Sequence, residues 1–288
     1  MQFYKYWARA TASTYTPRDE TVFRSATGYS NRSIEEAFRM AEQRAEQMSK
    51  HWADANRSEY YGVGIGERPI REAVIEQFSD GDQTDPYAII SRNSYGVLVL
   101  NVTDVLFADV DLPTRLPKKS LVGSILNMLG IEKPEPTFEQ RLVEKIKRLV
   151  ATDPTLGLRV YRTAMGYRIA VTSRRIPSSE AKAKEVLKWL GSDKLYVSLC
   201  YSQDCYRARL TPKPWRCGMR NLLIRFPYES KEVEAQFENW KREYESVSSR
   251  FATCVLVGEF GSDRVDPRVE SVLKLHDHFV LNDSKPLA

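Results

Sequence analysis

Asp109 and Asp111 stand one residue apart at the end of an apolar run, residues 105–108, in the sequence VLFADVDLP. On a β-strand side chains alternate faces, so the two carboxylates point the same way while Val110 turns into the core. Two like charges held that close repel, and a cation between them relieves the repulsion. Mg²⁺ or Mn²⁺ suits the task, because such hard cations take one or two carboxylates and complete their shell with substrate phosphates. The alternative is a strand running out into a turn before Leu112-Pro113, where aspartate is an ordinary turn residue. As metal ligands and catalytic groups, Asp109 and Asp111 need partners elsewhere in the chain that can hold phosphates.

Two basic tracts supply them. Residues 205–228 contain six Lys/Arg and no acid, and residues 155–179 contain five Arg and no acid. The net charge is only +5 over 288 residues, so these one-sign tracts, more than the total, set the field that attracts polyanions. In CYRARLTPKPWRCGMR, Arg207, Arg209, Lys213 and Arg216 can neutralise phosphates, while Tyr206 and Trp215 offer rings for base stacking. A solvated edge strand defended by charge and proline is the competing reading. On the preceding hairpin, Arg162 and Arg168 fall on one face or on two according to the register of the turn.

Other motifs point elsewhere. His276 and His278 flank Asp277, and a helix points the two imidazoles apart, which favours cations at a helix C-terminus over a metal site. Gly62, Gly64 and Gly66 lack the Lys-Ser/Thr of a phosphate loop and read as a flexible turn. Cys200, Cys205, Cys217 and Cys254 form no C-x-x-C pair and read as buried thiols. No apolar run approaches the roughly 18 residues needed to cross a bilayer, and the first residues lack a secretory apolar segment, so a cytoplasmic location is expected. No Ser-His-Asp arrangement, nucleophile elbow or dinucleotide fingerprint is present.

The elements that must position these groups are read from hydrophobic period and punctuation. A strand is expected over 3–9, then a loop containing Pro17, Gly28 and Asn31. A helix over 34–52 follows, opened by Ser33 with Glu36 as capping-box partner, with Ile34, Phe38, Ala41, Ala45 and Met48 inward. A short helix is expected over 68–78 with Pro69 in its first turn, then strands over 88–92 and 95–100 joined by Asn93-Ser94. After Asp111 comes an excursion over 112–136. Beyond it are a helix over 138–151, a hairpin of 158–163 with 167–172, and a helix over 179–190 stopped by Gly191. Residues 195–201 read as either helix or strand. Strands follow at 206–210, with Arg207 and Arg209 on one face, and at 222–226. Helix 231–247, strand 251–260 and helix 267–279 close the chain.

From 105 to 210 the order is strand, helix, strand, strand, helix, strand, which describes an α+β, ferredoxin-like βαββαβ palm with N- and C-terminal helical and strand additions. The expected organisation is an N-terminal α/β region over 1–87, the palm-like core over 88–228 and a helix-strand-helix over 229–288. In such a sheet the first strand lies beside the third, so the carboxylates face the hairpin. The strand FADVD, and RTAMGYRIAV with Thr163 and Gly166, resemble the archaeo-eukaryotic primase superfamily, which includes primase-polymerases. The resemblance covers about a hundred residues. It implies a metal-binding D-x-D strand, a histidine on the hairpin that contacts the incoming nucleotide, and a third carboxylate. Arg168 stands where that family has histidine, and Asp204 is the nearest candidate for the third acid. The expected function is a divalent-metal-dependent nucleotidyl- or phosphoryl-transfer enzyme acting on nucleotides or nucleic acid. Asp109 and Asp111 would hold Mg²⁺ or Mn²⁺, Arg162, Thr163 and Arg168 would meet the nucleotide, and the tract from Arg207 to Arg216 would guide the polyanion. The alternative is a non-catalytic nucleic-acid-binding or regulatory module on a degenerate palm.

Overall fold

A computed structural model describes residues 1–15, 20–54, 69–81, 85–113 and 136–288 of the chain. The glycine-rich segment around Gly64 and most of the expected excursion after Asp111 lie outside the described residues. The fold is mixed α and β, with three antiparallel sheets and six α-helices among the described residues.

The chain opens with a hairpin of β1 (Tyr6–Tyr15) and β2 (Thr21–Ser30), paired from Tyr6 opposite Ser30 to Tyr15 opposite Thr21. β2 occupies residues expected as loop. The glycine that suggested a loop serves a close crossing instead. A Cβ on Gly28 would lie 2.0 Å from the Ala37 carbonyl of helix α1 (Ile34–Asp54). α1 is capped as expected at its first turn, where the Ser33 hydroxyl accepts from the Glu36 amide. The reciprocal half of the box is not made, because Glu36 accepts a hydrogen bond from Ser30. Its buried stripe is Ala37, Ala41, Ala45 and Ser49, whereas Ile34 and Phe38 are exposed. The helix is rotated from the expected orientation so that small residues meet the hairpin, which lets the two backbones approach.

Residues 73–78 form a strand, β3 (Ala73–Phe78), where a helix was expected. The β-branched pair Val74-Ile75 and the ladder to β4 (Ala88–Arg92) override the helical spacing. β5 (Leu98–Val102) pairs with β4 and with β9 (Tyr206–Arg209), giving the sheet order β3-β4-β5-β9. The other four-stranded sheet has the order β10-β7-β8-β6, from β6 (Phe107–Asp111), β7 (Gly157–Thr163), β8 (Gly166–Val171) and β10 (Cys254–Gly261). Residues 222–226 form no strand; there the Phe226 carbonyl accepts instead from the Arg71 guanidinium.

Helices α2 (Phe138–Thr152), α3 (Ala181–Leu190), α4 (Lys194–Gln203), α5 (Lys231–Ser248) and α6 (Pro267–Val280) carry the ends their sequences encode. Thr137 and Gln140 form a full capping box on α2, and Gly191 ends α3 in the left-handed region at φ 83°. Residues 195–201, undecided by period, are helical because Asp193 caps the Tyr196 amide. Leu142 and Ile146 of α2, Leu187 and Leu190 of α3, and Val269, Val272 and Leu273 of α6 join one core with both four-stranded sheets. All four cysteines are buried and unpaired. No helix among the described residues is long and apolar enough to cross a membrane.

Candidate functional site

β6 places its two acids as alternation requires. Phe107, Ala108 and Val110 are buried, Asp109 is half-buried and Asp111 exposed at the strand end. The hairpin partner is β8, with Asp109 opposite Arg168 and Asp111 opposite Gly166. Gly166 is dictated by this pairing, since a Cβ there would sit 2.1 Å from the Val110 carbonyl. In the β7–β8 register, Tyr161 lies opposite Arg168 and Arg162 opposite Tyr167. Arg162 therefore projects from the opposite face of the sheet to Arg168 and is not brought to the acids. Thr163, two residues from Tyr161, shares the face of the acids at the hairpin end.

Arg168 faces Asp109 in register but turns inward. Only 4% exposed, its Nη1 donates to the Arg209 carbonyl at 2.9 Å and to His276 Nε2 at 2.9 Å. His276 Nδ1–H donates in turn to Asp277, which also accepts from Tyr161 and Arg159. The expectation that His276 is a cation at a helix C-terminus is overturned, for the side chain is fully buried against Phe107 and Tyr161. Its burial holds the imidazole down to about 4, with the nearby guanidinium charges helping and Asp277 opposing. The signal was present in the sequence: Val269, Val272, Leu273, His276 and Val280 make one helical stripe.

The free edge of β6 is closed by the turn into α4. Ser192 Oγ donates to the Asp109 carbonyl and accepts from the Asp109 amide, and the Asp193 amide donates to the same carbonyl. One helical turn on, the Tyr196 hydroxyl donates to the Phe107 carbonyl at 2.8 Å and accepts from the Arg207 amide of β9 at 3.3 Å. β9 thus lies beside β6 with a tyrosine hydroxyl between them, and its ladder is made with β5 instead. Asp193 arrives near the pair by the same turn. Asp111 is held above the usual carboxylate range by burial, then by the charges of Asp109 and Asp193, with Lys213 and Arg209 opposing. Asp204, the nearest candidate for a third acid, ends α4 at φ 48° and is engaged by Ser178 and the Met1 amine.

The basic tract divides into two sets. Arg207 is bound by Glu72, which also accepts from Ser91, so this guanidinium is part of the sheet. Tyr206 is fully buried and offers no ring to a base. Arg209, Lys213 and Arg216 are half-buried and form no ion pair or side-chain hydrogen bond among the described residues. Burial, then Arg209 and Arg216, lower the Lys213 ammonium, while Asp109 and Asp111 oppose. Burial, then Arg168 and Arg216, lower Arg209 in the same way. Trp215 is 46% exposed with Lys213 Nζ 5.3 Å from its ring. Arg207→Ala should therefore destabilise the fold by about 3 kcal/mol by stranding Glu72. Arg209→Ala should leave the melting temperature unchanged or higher, and paired thermal melts check both.

The site is an acidic strand end with Lys213 and Arg209 in the field of its acids, and Arg216 beside those two cations. Among the described residues no cluster of three or more His, Cys, Asp or Glu could by itself hold a metal ion. Two carboxylates that lean on a ligand's phosphates and on water are what remains, a set that fits Mg²⁺ or Mn²⁺ better than zinc. No family model, curated protein or solved structure matches the chain.

Proposed function

We propose that this chain is a divalent-metal-dependent nucleotidyl- or phosphoryl-transfer enzyme acting on nucleotides or nucleic acid. The observation that carries the reading is the juxtaposition of Asp109 and Asp111 with Arg209 and Lys213, neither cation held in an ion pair among the described residues, and with Arg216 next to them. A phosphate completed by a metal ion satisfies both sets at once. Asp109 and Asp111 would hold Mg²⁺ or Mn²⁺, which would supply charge neutralisation at the phosphoryl oxygens. Asp193, whose amide donates a hydrogen bond to the Asp109 carbonyl, is a further acid in the field of Asp111. The strand order β7-β8-β6 with β9 flanking β6 supports a ferredoxin-like palm and the likeness to the archaeo-eukaryotic primase superfamily.

One observation favours the second reading, a non-catalytic nucleic-acid-binding or regulatory module. Arg168 is tied to His276 and the Arg209 carbonyl, so the hairpin presents neither histidine nor guanidinium to a nucleotide there. Two measurements separate the readings. Mn²⁺-dependent release of pyrophosphate from a nucleoside triphosphate, absent in Asp109→Asn, is expected of the enzyme. Salt-sensitive, metal-independent binding with no turnover would select the module. In either case three phosphate contacts predict a log–log salt slope near −2 on a single strand, at about −0.7 per contact. Arg209→Glu should flatten that slope. An affinity indifferent to salt would remove nucleic acid as a ligand.

A further inference from the structure

Above the three cations stands an aromatic pair that the phosphate chemistry leaves unused. Tyr95 and Trp215 meet edge to face at 5.3 Å between centroids, 86° between planes, although 120 residues separate them in the chain. They are 41% and 46% exposed. An edge-to-face contact takes up one of the four ring faces, so stacking surface remains. Tyr95 sits on a tight turn and Trp215 on a short 3-10 helix (Pro214–Cys217), both fixed from behind by α5. The turn bearing Tyr95 is gripped by Arg92, whose guanidinium donates to the Gly96 carbonyl and to Glu245. Gly96 itself, at φ +78°, lies so close to Trp240 that a Cβ would fall 2.3 Å from the indole. The loop bearing Trp215 is tied by Tyr244, whose hydroxyl bonds Thr211 and the Pro212 carbonyl. Exposed rings on braced loops are not packing left over from folding, because neither ring fills a core.

From this geometry we infer that Tyr95 and Trp215 are a stacking station for an unpaired nucleobase, and that the polyanion at this site is a single strand. The inference rests on the phosphate-binding reading of Arg209, Lys213 and Arg216. Lys213 links the two functions, with its ammonium 5.3 Å from the Trp215 ring and under the field of Asp109 and Asp111. A phosphate held by Lys213 lies beside the Trp215 ring, so the base next to that phosphate reaches the aromatic pair. A duplex has its base faces covered and cannot use such a surface, whereas a single strand of any sequence can.

The test uses the full chain, a short oligothymidylate and an abasic sugar-phosphate oligomer of the same length, with affinity read by fluorescence anisotropy. Wild type should bind the intact oligomer about tenfold more tightly than the abasic one, as expected for one stacked base. Tyr95→Leu and Trp215→Leu should each close that gap while leaving abasic affinity unchanged, and Trp215→Phe should restore most of it. Both rings are exposed, so thermal melts should show all three variants folded. Equal affinity for the two oligomers, equal loss on both, or no binding of either overturns the station. Failure of the metal reading has a different signature: no Mn²⁺ shift in the wild-type melt, with the base-dependent gap intact.

Discussion

Asp109→Asn combined with Asp111→Asn is expected to raise the melting temperature in metal-free buffer and to abolish the further rise that Mg²⁺ or Mn²⁺ gives the wild type. The first effect follows from Asp111, whose acid is held above its ordinary range by burial, Asp109 and Asp193. A carboxyl with a raised folded pKa opposes folding once ionised, and that penalty disappears as pH falls through the raised value. The advantage of the variant should thus be largest near neutral pH and shrink on acidification. The second effect is mass action. A ligand at about 100 times its dissociation constant stabilises by roughly 2.7 kcal/mol, several degrees in a chain of this size. Melts at two pH values, each with and without metal, read all of it. Equal metal shifts in wild type and variant would mean that the acids are not ligands.

An effect of similar size is expected at the buried network behind Arg168. His276 is neutral in the folded protein, held down to about 4, whereas an unfolded histidine titrates near 6.5. Between those values the unfolded chain binds a proton that the folded chain refuses, so stability falls as pH falls through this window. At about 1.4 kcal/mol per unit the total is roughly 3 kcal/mol. The groups that face the imidazole, Arg168, Arg159, Tyr161 and Asp277, bring two fixed cations and one acid, which keeps the proton off. Asp104 and Asp111, both raised, act with the opposite sign at the acid end of the window. Denaturation from pH 7.5 to 4 should show the slope in wild type, and His276→Leu should flatten it while lowering stability at neutral pH. A wild-type curve level across that range would contradict the buried neutral imidazole.

What could be read from the sequence was local. The i, i+2 acids, the inward Val110 and the β7–β8 hairpin follow from alternation and turn chemistry, and the structure pairs Asp109 with Arg168 accordingly. Where side chains 80 to 200 residues apart decide the outcome, pattern was silent. Arg168 turns inward because His276, 108 positions away, waits in the core. Arg207 leaves the functional set because Glu72 claims it from 135 residues away. β3 became a strand through its ladder to β4, which no helical period within residues 68–78 can register. Asp193 is the instructive miss. It follows the helix-stopping Gly191, and recognising it as the cap of α4 would have placed another acid in the turn that bonds Asp109.

Tyr196 bridges the strand that carries the acids and the strand that carries Arg209. A β-ladder sets neighbouring strands about 4.8 Å apart and would have drawn the acids of β6 and the arginines of β9 into contact. Here a hydroxyl is interposed, 2.8 Å from one strand's carbonyl and 3.3 Å from the other's amide, so the two backbones stand one oxygen further apart. The tyrosine is a spacer. At this level it takes the place of a direct ladder hydrogen bond between β6 and β9. Tyr196→Phe should therefore remove the one side-chain bridge described between β6 and β9 while leaving the β5–β9 ladder intact.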